Sequence, residues 1–313
     1  MSEFSVEILE ELGRFTSNLQ KLVLKIPREG SSVKEIVDFV EAQIFKANYL
    51  PAFPCTVSIN DVAAHYTIFD DDYFLQRGDL VKIDFGVAHE GFITDNAITI
   101  EISTSTYSKM LEANKKALDR AVEIIDVGIK VSEIGREVNK IAETKGFNTI
   151  HNLSGHQIGR NNLHCGISLP NYDNGSLKEI LQESEFAIEP FFTKGEPKVK
   201  SGGPSNILHL VKDGNVRDPI AKKILLFIRE NFNPLPFSKR WLLKENISKL
   251  GIKLKSAEKG FEIKKVNYAI NILKSLGILY EYDCLKSVDG SYISQFEDTV
   301  LFADGKKIVL TRL

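Results

Sequence analysis

Two aspartates inside a predicted β-hairpin are the feature that most constrains this chain. Residues 80–87 and 92–100 are rich in β-branched residues, which favour strands, and a short turn segment separates them. If the turn is centred in the middle of that segment, Asp84 lies directly opposite Asp95 on one face of the hairpin. Because like charges placed in this way repel, we expect a divalent cation to bind both carboxylates. The alternative is a slipped register that exposes one aspartate to solvent.

A cluster of histidines lies further along the chain. Three of the six histidines, His151, His156 and His164, fall within residues 151–166, together with glycines that permit close backbone approach. Neutral imidazole is a common metal ligand and a frequent proton carrier. The cluster therefore indicates a metal or catalytic site, with ordinary structural hydrogen bonding as the alternative.

Two glutamates are predicted to lie inside apolar strands. Glu189 falls within residues 185–191, and Glu297 alternates with apolar residues in 294–301. An unpaired carboxylate buried there is costly, so each needs a cation or a buried salt bridge. Four acids and one imidazole suit manganese, iron, cobalt or zinc better than they suit a thiolate-bound structural zinc.

Composition and charge exclude several classes of protein. The net charge of −2 does not indicate a nucleic-acid binder, and no apolar run approaches the roughly 20 residues that span a bilayer. The first residues lack a basic segment followed by an apolar one, so no signal peptide is predicted. The three cysteines form no CxxC motif. A reducing, cytoplasmic location is therefore expected.

The charge distribution predicts an inserted module. Ser32-Val-Lys-Glu35 fits a capping box, and amphipathic helices are predicted near residues 105–126 and 131–145. Residues 195–205 have the composition of a loop or linker. Between residues 212 and 282 there are 15 Lys or Arg against 7 Asp or Glu, a net of +8, around two helical patterns. We expect a main domain of residues 1–205 and 283–313, with a helical insertion at 206–282.

The order of these motifs resembles that of the pita-bread metallopeptidases and, within them, the type II methionine aminopeptidases. The matching stretches span nearly the whole chain: Phe53-Pro54, Ala63-Ala-His-Tyr-Thr67, Asp84-Phe-Gly86, Asn152-Leu-Ser-Gly-His156, Leu163-His-Cys-Gly166, Ala187-Ile-Glu-Pro190 and Gly290-Ser-Tyr-Ile-Ser-Gln-Phe-Glu297. The resemblance implies an α+β pita-bread fold with an inserted helical, winged-helix-like subdomain. It also implies the short form that lacks a long N-terminal extension. Asn96 departs from the family, which more often has Thr or Cys there.

The resemblance also implies a dinuclear centre of two divalent ions (cobalt, manganese, iron or zinc). Asp84 and Asp95 would bind one ion, Asp95 and Glu297 would bridge the pair, and His156 and Glu189 would complete the other. A bridging water or hydroxide would be the nucleophile, with Glu189 as the general base.

Further roles follow from the same resemblance. His65 and His164 would contact the scissile amide and stabilise the tetrahedral intermediate. Phe53, Leu163 and Tyr282 would line an apolar pocket for the methionine side chain, and His209 is a candidate for the same pocket.

The implied activity is removal of the initiator methionine from nascent polypeptides, with a preference for small second residues. A prolidase of the same fold is the enzymatic alternative, although prolidases usually carry a sizeable domain ahead of the catalytic one. A relative that has lost its metal ligands and binds nucleic acid or protein is another alternative, but all five ligands are present here. No membrane partner and no specific nucleic acid are expected. The positive charge of the insertion is typical of an ordinary solvated lysine-rich face, and docking near ribosomal RNA is the alternative hypothesis.

Overall fold

The computed structural model describes residues 5–255 and 258–313. The α-helices in this part of the chain are α1 (Val6–Val23), α2 (Val33–Lys46), α3 (Ser108–Ile124), α4 (Val131–Thr144), α5 (Pro219–Asn231), α6 (Lys244–Leu250) and α7 (Ile263–Ser275). The Ser32 hydroxyl accepts a hydrogen bond from the Glu35 N–H at 3.1 Å, as the capping box predicts. The predicted helices of residues 105–126 and 131–145 are confirmed as α3 and α4.

The strands of the described residues form four sheets. In chain order they are β1 (Leu50–Pro51), β2 (Thr56–Ile59), β3 (Val62–Ala64), β4 (Leu80–His89), β5 (Phe92–Glu101), β6 (Asn148–Thr149), β7 (Ser154–Gly159), β8 (Asn162–Pro170), β9 (Ser184–Ile188), β10 (Phe191–Thr193), β11 (Val199–Leu210), β12 (Phe237–Ser238), β13 (Leu279–Ser287), β14 (Ile293–Gln295), β15 (Asp298–Ala303) and β16 (Lys306–Val309). Their spatial orders are β1-β4-β2 with β5 on β4, β14-β10-β6, β12-β11-β13-β3 and β16-β15-β9-β7-β8.

Two pairs of helices cover these sheets on separate hydrophobic cores. Helices α1 and α2 pack on β4 and β5 through side chains such as Leu12, Val37 and Phe85. Helices α3 and α4 pack on β9 and β15, where Ile134 and Phe186 are among the buried residues. Strands β4, β5 and β9 therefore each pack against a buried helical layer.

The segment predicted as a loop or linker at 195–205 is instead largely strand. β11 pairs with β13 from Val199 opposite Ser287 to Leu210 opposite Leu279. The register shifts twice, on either side of Pro204, and Gly203 has a φ of 98°. The Gly and Pro residues thus mark bulges in a strand, where they are tolerated, and the loop prediction was wrong because composition does not separate the two cases.

A third hydrophobic core belongs to the basic segment. Residues from α5, α6 and α7, such as Ile228 and Ile270, pack with Phe45 of α2 and with Phe69. The fully buried guanidinium of Arg240 donates hydrogen bonds to the carboxylates of Asp38 and Glu41 on α2. The helical segment is thereby tied to the main body by apolar packing and a buried ionic contact.

Candidate metal centre

The β4–β5 hairpin corrects the predicted register. His89 pairs with Phe92, so Glu90 and Gly91 form a two-residue turn, and both have positive φ, at 51° and 86°. Such a turn needs φ > 0 at both central residues, and the glycine at its second position favours it. The predicted turn centre between His89 and Glu90 was therefore wrong by one residue.

The two aspartates are diagonal neighbours rather than direct opposites. Asp84 pairs with Ala97, and Asp95 pairs with Gly86. Moving the turn centre by one residue changes the pairing by two, so both side chains stay on the same face. Both are buried, which excludes the alternative in which one is exposed. The Thr299 hydroxyl accepts from the Asp95 N–H at 2.8 Å and donates to the Asp95 carbonyl at 2.7 Å, which holds the backbone there.

His156 reaches these aspartates from β7. The preceding Gly155 lets β7 approach β9 closely, since a Cβ there would lie 2.4 Å from the Ala187 carbonyl oxygen. The His156 Nε2 atom lies 3.6 Å from Asp95 Oδ2 and 3.8 Å from Glu189 Oε1. Burial, and secondly His164, lowers the pKa of His156 to about 3, so its ring is neutral and has a lone pair to offer a cation.

The two glutamates stand next to strands, not inside them. Glu189 follows the end of β9, and Glu297 occupies the break between β14 and β15. The Glu297 N–H donates to the Ala97 carbonyl at 2.9 Å, which ties this break to β5. The predicted strand position is wrong for Glu189, because apolar neighbours define a strand but do not show where its pairing stops. Glu297 lies outside β14 and β15 but forms an isolated antiparallel bridge with Ala97 of β5. Among the described residues, neither glutamate forms an ion pair with Lys or Arg. Glu189 instead lies near His156.

The carboxyl groups of Asp84, Asp95, Glu189 and Glu297 line one cavity. Burial raises the pKa of Asp84 to about 7, and burial followed by neighbouring carboxylates raises the pKa values of Asp95, Glu189 and Glu297 well above their usual range. So many buried acids without a cation are unfavourable, because each negative charge opposes the next.

The same residues fit a metal ion. Asp84 Oδ1 and Asp95 Oδ1 are buried and have no hydrogen-bond partner among the described residues. One ligand atom each from Asp95, His156 and Glu297 lies within 4.8 Å of the others. Carboxylate oxygens with a neutral imidazole are a donor set for divalent transition metals.

A cavity of about 240 Å³ opens onto these five side chains. Its lining also contains all five predicted substrate-contacting residues, namely Phe53, His65, Leu163, His164 and Tyr282. His209 stands behind that wall: its Nδ1 accepts from the Tyr282 hydroxyl at 3.3 Å, and its Nε2 donates to the Pro234 carbonyl at 2.9 Å. The candidate ligands and the candidate pocket therefore belong to one cavity.

The two catalytic-candidate histidines differ in their surroundings. His65 has a φ of 65°, and its Nδ1 lies 3.3 Å from the Asp283 carbonyl oxygen, which can only accept, so the ring donates there and Nε2 has a lone pair. Burial lowers the pKa of His65. His164 is exposed at the cavity, and its ring centroid lies 4.0 Å from that of His156.

Two residues support the candidate ligands in roles that were not predicted from the sequence. The Gln295 side-chain Nε2 donates to Asp84 Oδ2 and to Glu189 Oε2, both at 3.3 Å. Asn96 donates to the Glu297 carbonyl at 2.8 Å and accepts from Gln20 of α1, which accounts for the amide at this position. Each is a buried amide within two residues of a candidate ligand, and that proximity is the signal by which it could have been found.

Comparison with known proteins identifies the family to which this chain belongs. Residues 7–217 match the model of metallopeptidase family M24, and the chain belongs to that family.

Within family M24 the chain belongs to the methionine aminopeptidases. It is 36% identical to a methionine aminopeptidase of Thermococcus onnurineus, over 94% of this chain and 95% of the other. It is 35% identical to one of Pyrococcus horikoshii, over 98% of this chain and 99% of the other.

The fold agrees with this family. A methionine aminopeptidase structure from Thermotoga maritima superposes with a TM-score of 0.67 at 18% identity, covering 100% of both chains. The predicted pita-bread fold is thereby confirmed. No helix among residues 5–255 and 258–313 is long and apolar enough to cross a membrane.

Proposed function

We propose that this chain is a dinuclear metal-dependent aminopeptidase that removes the initiator methionine from nascent polypeptides. The observation that carries the proposal is the presence of three buried carboxyl groups, the partly exposed Glu189 carboxyl group and one neutral imidazole at the same cavity. Asp84, Asp95, His156, Glu189 and Glu297 would hold the ions. Two divalent ions would balance four carboxylates, which supports a pair over a single ion.

Bound divalent ions would supply Lewis-acid chemistry, which polarises a substrate carbonyl and makes water a stronger nucleophile at neutral pH. Glu189 is the proposed general base. Its Oε2 accepts from Gln295, and its Oε1 lies near His156, so the carboxyl group is held at the cavity. It would take a proton from water and deliver it to the leaving amide nitrogen.

His65 and His164 are proposed to bind opposite sides of the scissile amide. The Nε2 lone pair of His65 would accept the amide N–H, since its Nδ1 already donates to Asp283. His164, open to the cavity, would donate a hydrogen bond to the oxygen that becomes negative in the tetrahedral intermediate. The two rings would then orient the substrate as well as stabilise developing charge.

The methionine side chain is proposed to bind among Phe53, Leu163 and Tyr282. Ile207 and Pro236 complete an apolar wall beside them. A hydrophobic pocket rejects near-isosteres only modestly, so slower cleavage after norleucine or leucine is expected. Small second residues are the expected preference, as the family implies.

The inserted module and its partners are further proposals. We infer that residues 206–282 form the helical insertion, because their side chains share the third hydrophobic core. Docking of its basic face near ribosomal RNA is supported by the net charge of the segment. Part of that net charge is neutralised by acids outside the segment, because Arg240 pairs with Asp38 and Glu41, and Lys249 also pairs with Asp38. A cytoplasmic location is proposed for an enzyme that acts on nascent chains.

Metal analysis combined with substrate comparison tests the proposal. Protein purified without added metal is assayed for bound ions, depleted, and reconstituted ion by ion. We expect two equivalents of divalent metal at full activity and hydrolysis of Met-Ala-Ser, with Ala-Pro uncleaved. Preferential cleavage of Ala-Pro would favour a prolidase, and metal-independent hydrolysis would contradict the proposal.

A further inference from the structure

Lys82 on β4 is fully buried, at 0% exposure, and lies two residues before the candidate metal ligand Asp84. Its ammonium nitrogen is surrounded by main-chain carbonyl oxygens. Nζ donates to Asn60 O at 3.0 Å, to Leu80 O at 3.4 Å and to Ile293 O at 2.8 Å. These oxygens belong to the β2–β3 turn, to β4 itself and to the first residue of β14, so one cation joins three separate segments.

The number of hydrogen bonds made by Lys82 Nζ indicates that its amino group is protonated. Carbonyl oxygens only accept, and three acceptors need three N–H donors. An ammonium has three and a neutral amine has two, so this arrangement suits Lys82 as a cation. The three carbonyl oxygens stabilise the positive charge of this ammonium group.

The carbonyl cage is continuous with the metal centre. Lys82 and Asp84 are two residues apart on β4, and therefore share a face. Ile293 begins the strand that leads to Gln295 and then to Glu297. Asn60 O, which accepts from Lys82, also accepts from the Ile293 N–H at 3.1 Å. A change in the cage would therefore move the start of β14 relative to β4.

We propose that Lys82 is a tethered monovalent cation that fills a carbonyl site and thereby positions Asp84, Gln295 and Glu297 for the divalent ions. Lys82 touches neither substrate nor reacting atoms, and it acts as a positioning residue. The inference rests on the proposed metal centre. It does not depend on the identity of the peptide that is cleaved.

Two variants separate the cation from the side chain that carries it. Lys82→Ala opens the cage and leaves its carbonyls to a free cation. Lys82→Met keeps a chain of similar length in the cage but has no charge. Each is refolded without divalent metal in methylammonium chloride, with tetramethylammonium chloride as the control for ionic strength, because the larger ion does not fit a site built for one ammonium group.

We expect methylammonium, but not tetramethylammonium, to raise the thermal midpoint of metal-free Lys82→Ala. Wild type and Lys82→Met should show no difference between the two salts. By competition with a chelator, both variants should bind Mn²⁺ about 10–100-fold more weakly than wild type, and methylammonium should restore affinity in Lys82→Ala alone.

Equal response of Lys82→Ala to the two salts, or wild-type Mn²⁺ affinity in both variants, would overturn the inference. Failure of Lys82→Ala to fold in either salt would count against it as well, since a cage filled by methylammonium should suffice. These outcomes are independent of Met-Ala-Ser hydrolysis. If wild type binds Mn²⁺ but does not cleave the peptide, the proposed activity fails while the role of Lys82 is still decided.

Discussion

The side-chain amide of Gln295 donates to the Asp84 carboxylate at 3.3 Å, across the gap between β14 and β4. The same nitrogen donates to Glu189 at the same distance. One amide group thus links two carboxylates that come from different sheets and would otherwise repel each other. The amide thereby orients two carboxylates that are proposed to bind metal. Metal ligands in proteins are commonly oriented by such hydrogen bonds from neighbouring residues.

Replacement of this amide should weaken metal binding. We expect Gln295→Leu to lower the affinity for Mn²⁺ by about 10–100-fold while the protein remains folded, because Asp84 and Glu189 lose their shared donor. Gln182, an exposed residue on the loop before β9, provides the matched control as Gln182→Leu. Calorimetric titration with Mn²⁺ measures the effect, and equal affinities for the two variants would contradict it.

Asp95 is central to the proposed metal pair. We expect Asp95→Asn to abolish hydrolysis of Met-Ala-Ser and to lower metal content, because the amide removes a charge without changing the shape of the side chain. The fold should survive, as judged by circular dichroism. Asp304→Asn, in the exposed turn before β16, is the control and should retain activity. Full activity of Asp95→Asn would exclude the mechanism.

His164 is expected to act on substrate rather than on metal. It is exposed at the cavity, whereas His156 is the ring that faces the carboxylates. His164→Ala should therefore lower kcat about 10²–10³-fold, as loss of one oxyanion donor does, with metal content near normal. Loss of bound metal in this variant would instead show that His164 is a ligand.

Removal of metal should make stability depend on pH in a defined direction. Without a cation, the folded pKa of Asp84 is about 7, against an ordinary value of 3.8. The folded state then binds more protons than the unfolded state between these values, so this group's contribution to the free energy of unfolding falls as pH rises from about 4 to 7. Asp95, Glu189 and Glu297 act in the same direction.

We therefore expect the thermal midpoint of chelator-treated protein to decrease as the pH is raised from 5 to 7.5. The decrease should be about 2–4 °C for each kcal/mol of unfolding free energy that is lost. Metal-loaded protein should show a smaller change, since the ions favour the ionised carboxylates. A midpoint for the metal-free protein that rises over this interval would contradict the assignment of these buried acids.

Much of the site was predictable from local chemistry. The alternation of β4 and β5 places Asp84 and Asp95 on one face, and this result survives an error of two residues in the pairing. Glu189 and Glu297 stand out because acids are rare among apolar residues. The exact turn was missed because the Glu90-Gly91 pair was not recognised as the two residues with positive φ.

The amino-acid sequence by itself determined which residues are chemically exceptional, and, through the family resemblance, the fold and class of enzyme. Only the tertiary structure decided where pairing stops, so that Glu189 lies after the end of β9, Glu297 bridges to Ala97, and residues 199–210 form a bulged strand. It alone brought the Lys82 ammonium to the Ile293 carbonyl, 211 residues away in sequence. The physical reason is that the spacing of apolar residues along the chain indicates which face of a helix or strand is buried. The hydrogen-bond partner of a buried polar group depends instead on which distant segment packs against it.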